Sequence, residues 1–223
     1  MNFLFENEHF FAVNKEAGWL SVPGRTGTAD SRPCLGIELQ KSLGIQIFPL
    51  HRLDCEVSGL ILFAKTAAAH RAASRCFEQR TIHKKYKALT EFTTPPAAAA
   101  PVSFEWKSKM VRGKKRSFFA EHGKDCHTKA TWLGTLESGG FSLLSWELHP
   151  ITGRSHQLRV ELASRGYMIL GDSLYGAKRE YTTSAIALRA VELDSSECPQ
   201  LRDFGLPTLL QLPASMQDFF ESP

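Results

Sequence analysis

The sequence predicts an α+β fold with a mixed, largely antiparallel sheet and flanking helices. Apolar runs of strand length recur along the whole chain, and segments with helical spacing lie among them. The two kinds of segment do not alternate regularly, as the βαβ units of a parallel sheet would. Two alternating runs also flank Gly139-Gly140, and this pattern is a hairpin signal for antiparallel strands.

The composition is that of a globular protein. The chain has 223 residues, of which 43% are hydrophobic and 22% charged, so we expect a single domain over residues 1–223. No apolar run approaches the roughly 20 residues that cross a bilayer, and the N-terminus lacks the basic region of a signal peptide. We therefore expect a cytoplasmic protein with no membrane partner.

The cysteines are odd in number, scattered and without a CxxC pair, which predicts reduced thiols in a cytosolic protein. They are Cys34, Cys55, Cys76, Cys126 and Cys198. Cys126 stands beside His127 and near His122, a combination that suggests zinc, but no second ligand pair follows. We therefore predict no metal site.

The first segments predict short strands, a loop and a helix. Residues 3–24 hold apolar stretches on either side of a turn at Ala17-Gly18. Residues 25–33 are polar with Gly and Pro, which is typical of a loop. Leucines at spacing four begin at Leu35 and stop before Gly44, so we expect a helix that ends there.

The next segments predict a strand, a helix and another strand. The GLILFAK run (59–65) is apolar without alternation, which predicts a central strand. Thr66 is the expected N-cap of the alanine-rich helix that follows. Residues 83–92 return to strand. The prolines of segment 93–101 prevent both strand and helix, so this segment is a linker or a loop tip within the domain.

The second half of the chain predicts a hairpin over residues 128–150. A helix follows over 155–166, with Leu158 and other apolar residues on one face and a terminal Gly. Residues 182–194 predict a last strand or a pair of strands, and residues 213–222 a short terminal helix.

Three polar clusters stand at the ends of predicted elements: HRLD (51–54), KKY (84–86) and RSHQLR (154–159). Together they supply one acid, one phenol and several cations that separate elements can bring to one cleft. Asp54 directly precedes a buried strand, and a buried carboxylate is costly unless it is paired or hydrogen-bonded. Asp54 is therefore either a structural salt-bridge partner or a working carboxylate.

Several other site classes are absent from the sequence. It contains neither a Walker nor a Rossmann phosphate loop, and no GxSxG nucleophile elbow. A lone Asp does not provide the two carboxylates of a glycoside hydrolase. The formal net charge is +4, with basic runs at 83–87 and 107–116, which permits a polyanionic partner such as RNA.

The segment HRLDCEVSGLILFAK (51–65) resembles the catalytic motif of the RluA family of pseudouridine synthases, usually HRLD-x-x-T-S-G-L. The family's second motif is resembled by KKYKAL (84–89). Its third motif, with the segment after it, is resembled by PITGRSHQLRVEL (150–162) and ILGDSLYG (169–176). The N-terminal strand and turn of the family are resembled by NKEAGWLSVPGR (14–25). The likeness is to the compact RluA branch without an S4-like RNA-binding domain. That branch is associated with a uridine in the tRNA anticodon stem-loop and with a hairpin of large-subunit ribosomal RNA.

Two positions depart from the family's pattern. Val57 stands where Thr is usual, and it keeps the β-branched shape without the hydroxyl, so we expect activity to survive. Glu161 stands where a His is frequent. We expect Glu161 to lie near the RNA-facing surface and to affect details of the substrate instead of the chemistry.

The resemblance implies an isomerase with the pseudouridine synthase fold around a central RNA-binding cleft. It would cleave the C1′–N1 bond of a uridine and rejoin the uracil through C5, a reaction that needs no cofactor and no metal. Asp54 would act as nucleophile at the sugar or as base at C2′. Arg159 would pair with Asp54 and hold it charged and oriented. Tyr86 would lie against the uracil, by stacking alone or by also helping to remove the C5 proton.

The resemblance also implies contacts with RNA. The target uridine must flip out of its stem-loop to reach Asp54, and Arg52 would fill the vacated position. Phosphates would be contacted by Lys84, Lys85, Arg154 and His156, and His51 is a further candidate for binding the RNA. The run from Lys107 to Arg116, which we expect between strands, is a further candidate for phosphate contacts. The alternative is a catalytically silent RNA-binding protein on the same scaffold; in either case we expect a monomer.

Overall fold

The computed structural model describes residues 3–24, 31–96 and 99–219. The chain forms two compact units, the first from Met1–His83 and Ala190–Gln217, the second from Lys84–Arg189 and Asp218–Pro223. Most of the loop predicted over 25–33 lies outside the described residues. None of the helices within the described ranges is long and apolar enough to cross a membrane.

The strands are β1 (Phe3–Glu6), β2 (Phe10–Lys15), β3 (Phe48–Pro49), β4 (Ser58–Ala64), β5 (His83–Phe92), β6 (Val102–Arg112), β7 (Ser117–Phe119), β8 (Lys124–Ser138), β9 (Phe141–Pro150), β10 (Tyr167–Ile169), β11 (Leu188–Asp194) and β12 (Leu209–Gln211). The helices are α1 (Leu35–Leu43), α2 (Ala67–Gln79) and α3 (Gln157–Ala163). Strands and helices are mixed, and the strands pair mostly antiparallel, as the sequence predicts.

In the first unit, the sheet has the order β1-β2-β4-β11, with β3 beside β4 and β12 beside β11. Successive side chains of a strand point to opposite faces, and both faces of β4 are covered. Leu60 and Leu62 share a buried cluster with α2, whereas Ile61 and Phe63 share another with α1. Burial on both faces is the reason that the GLILFAK run lacks alternation, and it confirms the prediction of a central strand.

In the second unit, the order is β5-β9-β8-β6-β7, with β10 beside β5. β8 and β9 form the predicted hairpin, and Gly139 and Gly140 make its turn with φ of 58° and 78°. Such values are costly for residues with a Cβ, so the Gly pair determines where the chain reverses. The Trp146 side chain is fully buried, and its Nε1 donates to Thr90 Oγ1 at 2.9 Å.

Three expectations about elements need correction. The basic run from Lys107 does not lie between strands, because residues as far as Arg112 belong to β6, where pairing with β8 satisfies the backbone. The helix expected over 155–166 is confined to α3. The terminal helix expected over 213–222 is wrong for its described part, in which Ala214–Met216 form a single 3-10 turn.

Candidate active site

Asp54 lies on the loop between β3 and β4 of the first unit, and buried neighbours hold this loop in place. Leu53 and Val57 are 4% and 3% exposed, whereas Asp54 is partly exposed. The Ser21 hydroxyl accepts a hydrogen bond from Leu53 N and donates to Leu53 O, both at 2.9 Å. Val57 N donates to Asp54 O at 3.1 Å and closes a turn. The carboxylate therefore projects from a fixed backbone.

Lys15 anchors the same loop from the end of β2. Its side chain is fully buried, and its Nζ donates to the carbonyls of Glu16, Trp19 and Cys55 at 2.9, 2.8 and 3.2 Å. Burial lowers the pKa of Lys15 to about 8, against the opposing effect of nearby acidic groups that include Asp54. Lys15 was assigned no role from the sequence. Its signal was a lysine at the end of a strand in which four of the six residues are apolar.

His51 and Arg52 precede Asp54 on the loop and differ in their surroundings. His51 Nε2 accepts a hydrogen bond from Leu62 N at 3.0 Å, and its ring stacks on Phe77 with centroids 5.4 Å apart. This ring therefore fastens the loop to β4. Arg52 is exposed to solvent. The contacts with RNA that the sequence predicts for both side chains stay predictions.

In the second unit, Arg159 is held by a buried acid that sequence reasoning missed. Arg159 Nε and Nη2 donate to the two carboxylate oxygens of Asp172, both at 2.7 Å, and the two side chains are 2% and 1% exposed. A forked pair of this kind fixes the plane of the guanidinium as well as its position. Asp172 belongs to ILGDSLYG, and its signal was an acid within an apolar segment. The pairing of Arg159 with Asp54 stays a prediction.

The start of α3 is fixed by the side chain of Gln157. Its Oε1 accepts from Thr152 Oγ1 at 2.6 Å and from Arg154 N at 3.1 Å. Its Nε2 donates to His127 O at 3.1 Å and to Thr128 Oγ1 at 2.8 Å. These bonds use the full capacity of the amide and tie the helix that carries Arg159 to β8.

Glu161 does not lie near an RNA-facing surface, so that expectation is wrong. Its side chain is fully buried in α3, and one carboxylate oxygen accepts a hydrogen bond from the Thr128 hydroxyl. Arg165 Nη1 donates to the backbone carbonyl of Glu161 at 2.7 Å. Burial raises the pKa of the Glu161 carboxyl, and the Thr128 hydrogen bond opposes this effect.

The predicted residues of β5 divide between two faces. Lys84 and Tyr86 share one face, and Lys85 takes the other, where its Nζ lies 3.7 Å from Glu147. Lys84 Nζ lies 3.5 Å from where a Cβ on Gly153 would stand, so the second motif meets the third. Burial lowers the pKa of Lys84, and within the described part of the chain this side chain has no ion-pair partner.

Arg154 and His156 flank the start of α3. Arg154 Nε donates to Asp125 O at 3.0 Å, and His156 Nδ1 lies 3.0 Å from the Tyr175 hydroxyl. The Arg159 guanidinium carbon is 5.3 Å from the centroid of the Tyr175 ring. The second unit thus brings Lys84, Arg154, His156 and Arg159 of the predicted set to one region. The first unit holds His51, Arg52 and Asp54 on one loop.

Comparison with known proteins identifies the family. A family model described as RNA pseudouridylate synthase matches residues 9–164. The dual-specificity RNA pseudouridine synthase RluA of Vibrio vulnificus (strain CMCP6) is 33% identical over 195 residues, which cover 85% of this chain and 75% of that one. The chain belongs to the RluA family of RNA pseudouridine synthases. Members of this family are isomerases, so the predicted enzyme class and family are confirmed.

Other relatives support the family assignment over nearly the whole chain. The Yersinia pestis RluA is 32% identical over 212 residues, which cover 92% of this chain and 94% of that one. The solved structure of human RNA Pseudouridylate Synthase Domain Containing 1 has a TM-score of 0.75 at 23% identity and covers 96% of this chain and 83% of that one. The solved structure of human RNA Pseudouridylate Synthase Domain Containing 4 has a TM-score of 0.68 at 22% identity and covers 95% of this chain and 88% of that one. These two likenesses confirm the predicted fold.

Proposed function

We propose that this pseudouridine synthase isomerises a specific uridine of RNA with Asp54 as its catalytic carboxylate. The observation that carries the proposal is the Asp54 loop, where a partly exposed acid is held between buried Leu53 and Val57 and by the cation of Lys15. A purely structural acid would not need a backbone fixed at so many points. A catalytic one does, because small misplacements cost large factors in rate.

The reaction balances without a cofactor. The C1′–N1 bond of the uridine breaks, a C1′–C5 bond forms, C5 loses its proton and N1 gains one. Asp54 begins the reaction as nucleophile at C1′ or as base at C2′. In this proposal Arg159 is its ion-pair partner, and the Asp172 fork keeps the guanidinium from turning away. Tyr86 lies against the uracil.

The target uridine reaches Asp54 by flipping out of its stem-loop, and exposed Arg52 enters the vacated position. Lys84 supports a phosphate contact, since a cation whose pKa is lowered by burial gains from an anionic ligand. Arg154, His156, His51 and Lys85 are further proposed contacts. Asp54 belongs to one unit and Tyr86 and Arg159 to the other, so the proposal requires that residues 1–223 work as one catalytic domain.

The named relatives are dual-specificity enzymes, which supports both a tRNA anticodon stem-loop and a large-subunit ribosomal hairpin as substrates. The five cysteines are free in the structure, in keeping with a reducing compartment. We propose that the enzyme is a monomer and that it acts in the cytoplasm, where both RNAs occur.

The test measures release of tritium from transcripts that carry 5-tritiated uridine. Wild type should release tritium from at least one of the two RNAs. Asp54→Asn should be slower by about 1,000-fold or more, because removal of an acting nucleophile or base leaves only binding and positioning. The matched control is Asp203→Asn, an exposed acid of the same unit, which should keep the wild-type rate.

Two outcomes contradict the proposal. If wild type releases no tritium from any transcript while it binds RNA, the protein is the catalytically silent alternative. If Asp54→Asn is as fast as wild type, the enzyme is active but Asp54 is not its catalytic carboxylate.

A further inference from the structure

We propose that a groove beside β7 in the second unit binds an unstacked nucleobase of the substrate RNA, outside the pocket for the target uridine. This inference rests on the proposed function and adds a second contact to it. The groove has a volume of about 210 Å³ and is open to solvent. Its lining includes Arg116, Phe118, Phe119, Val160, Ala163 and Tyr175.

The two exposed aromatic side chains of β7 point to opposite faces of the strand, because successive side chains alternate. Phe119 is 36% exposed, although large apolar side chains are normally covered, and it shares the face of Ser117 that lines the groove. The Phe118 ring lies on the other face, close to Gly113. The Arg165 guanidinium carbon stands 5.9 Å from the centroid of the Phe119 ring. An exposed ring beside a cation matches the stacking platforms that bind single-stranded RNA.

The positive charge around the groove favours a nucleic acid as its ligand. Residues 106–120 contain six basic residues and no acidic one. Arg112, Lys114, Lys115 and Arg116 are exposed around the turn before β7, and Arg112 Nη1 donates to Lys115 O at 2.9 Å. An apolar groove with a cationic rim complements a base together with its phosphate, whereas an ordinary protein partner would leave these cations unpaired.

The groove is also rigid and adjacent to the residues of the third motif. Ser117 Oγ donates to Ser155 O, and Ser117 N donates to the Tyr175 hydroxyl, both at 2.8 Å. The ring of Tyr175 is the neighbour of Arg159. A base in the groove would therefore lie one side chain away from Arg159, which suits a loop nucleotide close to the target uridine.

The experiment uses a stem-loop substrate with 2-aminopurine placed at successive loop positions, and it follows fluorescence and Kd. Wild type should change the fluorescence strongly at one position. Phe119→Leu keeps apolar area but removes the ring that lines the groove, and it should abolish that change and raise Kd about 10-fold. Phe119→Trp should preserve both signals. Phe3→Leu, an aromatic of equal 36% exposure in the first unit, is the matched control and should bind as wild type.

Tritium release at saturating RNA separates this inference from the proposed function, since Phe119→Leu should keep the wild-type kcat. If wild type releases no tritium, the proposed function fails, while Kd and fluorescence still test the groove. The groove proposal is overturned if Phe119→Leu binds within about twofold of wild type. It is equally overturned if the substitution changes the oligomeric state in sedimentation without a change in Kd, because the groove would then hold a second copy.

Discussion

Glu161 is a buried acid whose protonation is linked to folding. Its pKa is raised in the folded protein, because burial disfavours the charged carboxylate. Between the ordinary pKa of 4.5 and the raised value, the folded state binds more protons than the unfolded state. The contribution of Glu161 to stability is therefore fully present below about pH 4.5. It is lost as the pH rises through the folded pKa.

Glu161→Gln should remove this loss, since an amide keeps the acceptor for Thr128 but never ionises. We expect the variant to exceed wild type in free energy of unfolding by about 1 kcal/mol or more at pH 8, with a smaller difference at pH 5. Urea unfolding at both pH values measures it. Glu121→Gln, an exposed acid of the same unit, should show no such trend. A difference that is constant between the two pH values would contradict the argument.

Residue types were easier to predict than their partners. The motifs name Asp54, Tyr86 and Arg159 as candidate catalytic residues, and these roles stay predictions. Asp172, the buried partner of Arg159, stands 13 positions further along the chain, and only the folded structure shows that the two side chains meet. Lys15 is similar, because one of its three carbonyl acceptors, Cys55 O, stands 40 positions further along the chain. Glu161 was misplaced because the sequence pattern shows a charge but not the burial of the helix face that carries it.

Among the elements, α2 depends on its first residue. Thr66 has extended φ and ψ of −123° and 148°, and its hydroxyl accepts a hydrogen bond from Ala69 N at 3.3 Å. The N-cap prediction is thus confirmed. The helix buries Ala69, Ala73 and Cys76 against the sheet, so the loss of its cap weakens a core element.

Thr66→Ala should lower the free energy of unfolding by about 1 kcal/mol, because Ala69 N loses its acceptor in the first turn. Thr66→Ser retains the hydroxyl and should recover most of the difference. Urea unfolding at neutral pH compares the three proteins. Equal stability of the Ala and Ser variants would show that the cap does not stabilise the helix.

Element type was predictable wherever one pattern dominated. The run that forms β4 and the leucine spacing of α1 both gave correct elements, and Gly44 ends α1 with φ of 66°. β6 was missed because its lysines were interpreted as a basic run between strands, available for phosphate contacts. Its strand period is visible afterwards, with Trp106 and Met110 buried on one face.

At the scale of the whole molecule, the least predictable feature was that a late segment of the chain belongs to the same unit as the N-terminal strands. β11 and β12 come late in the sequence, yet residues 190–217 belong to the first unit with the N-terminal strands. Glu192 pairs with Gln211 and Asp194 with Leu209 in that segment. Non-local pairing of this kind leaves no periodic signal in the sequence, so the two units could not be separated along the chain.

The net charge of +4 should appear in RNA binding as a steep dependence on salt. Each phosphate contact releases condensed counterions, so log K should fall against log salt concentration by about 0.7 per contact on single-stranded RNA. Contacts from Lys84 and Arg154 together with the turn before β7 predict a slope of about −2 to −4. Fluorescence anisotropy of a labelled anticodon stem-loop between low and physiological salt measures this slope.

Charge-neutral variants then assign the slope to particular side chains. Lys114→Gln with Lys115→Gln removes two exposed cations and should make the slope shallower by about 1.4, because two phosphates no longer release ions on binding. Lys41→Gln changes the net charge in the same sense, but Lys41 is on α1 and pairs with Glu38 at 3.0 Å, so its slope should match wild type. If Lys41→Gln makes the slope shallower by about half as much as the double variant does, which removes twice as many charges, then total charge, and not a localised basic surface, governs binding. If log K for wild type does not change with salt concentration, phosphate contacts do not contribute to binding.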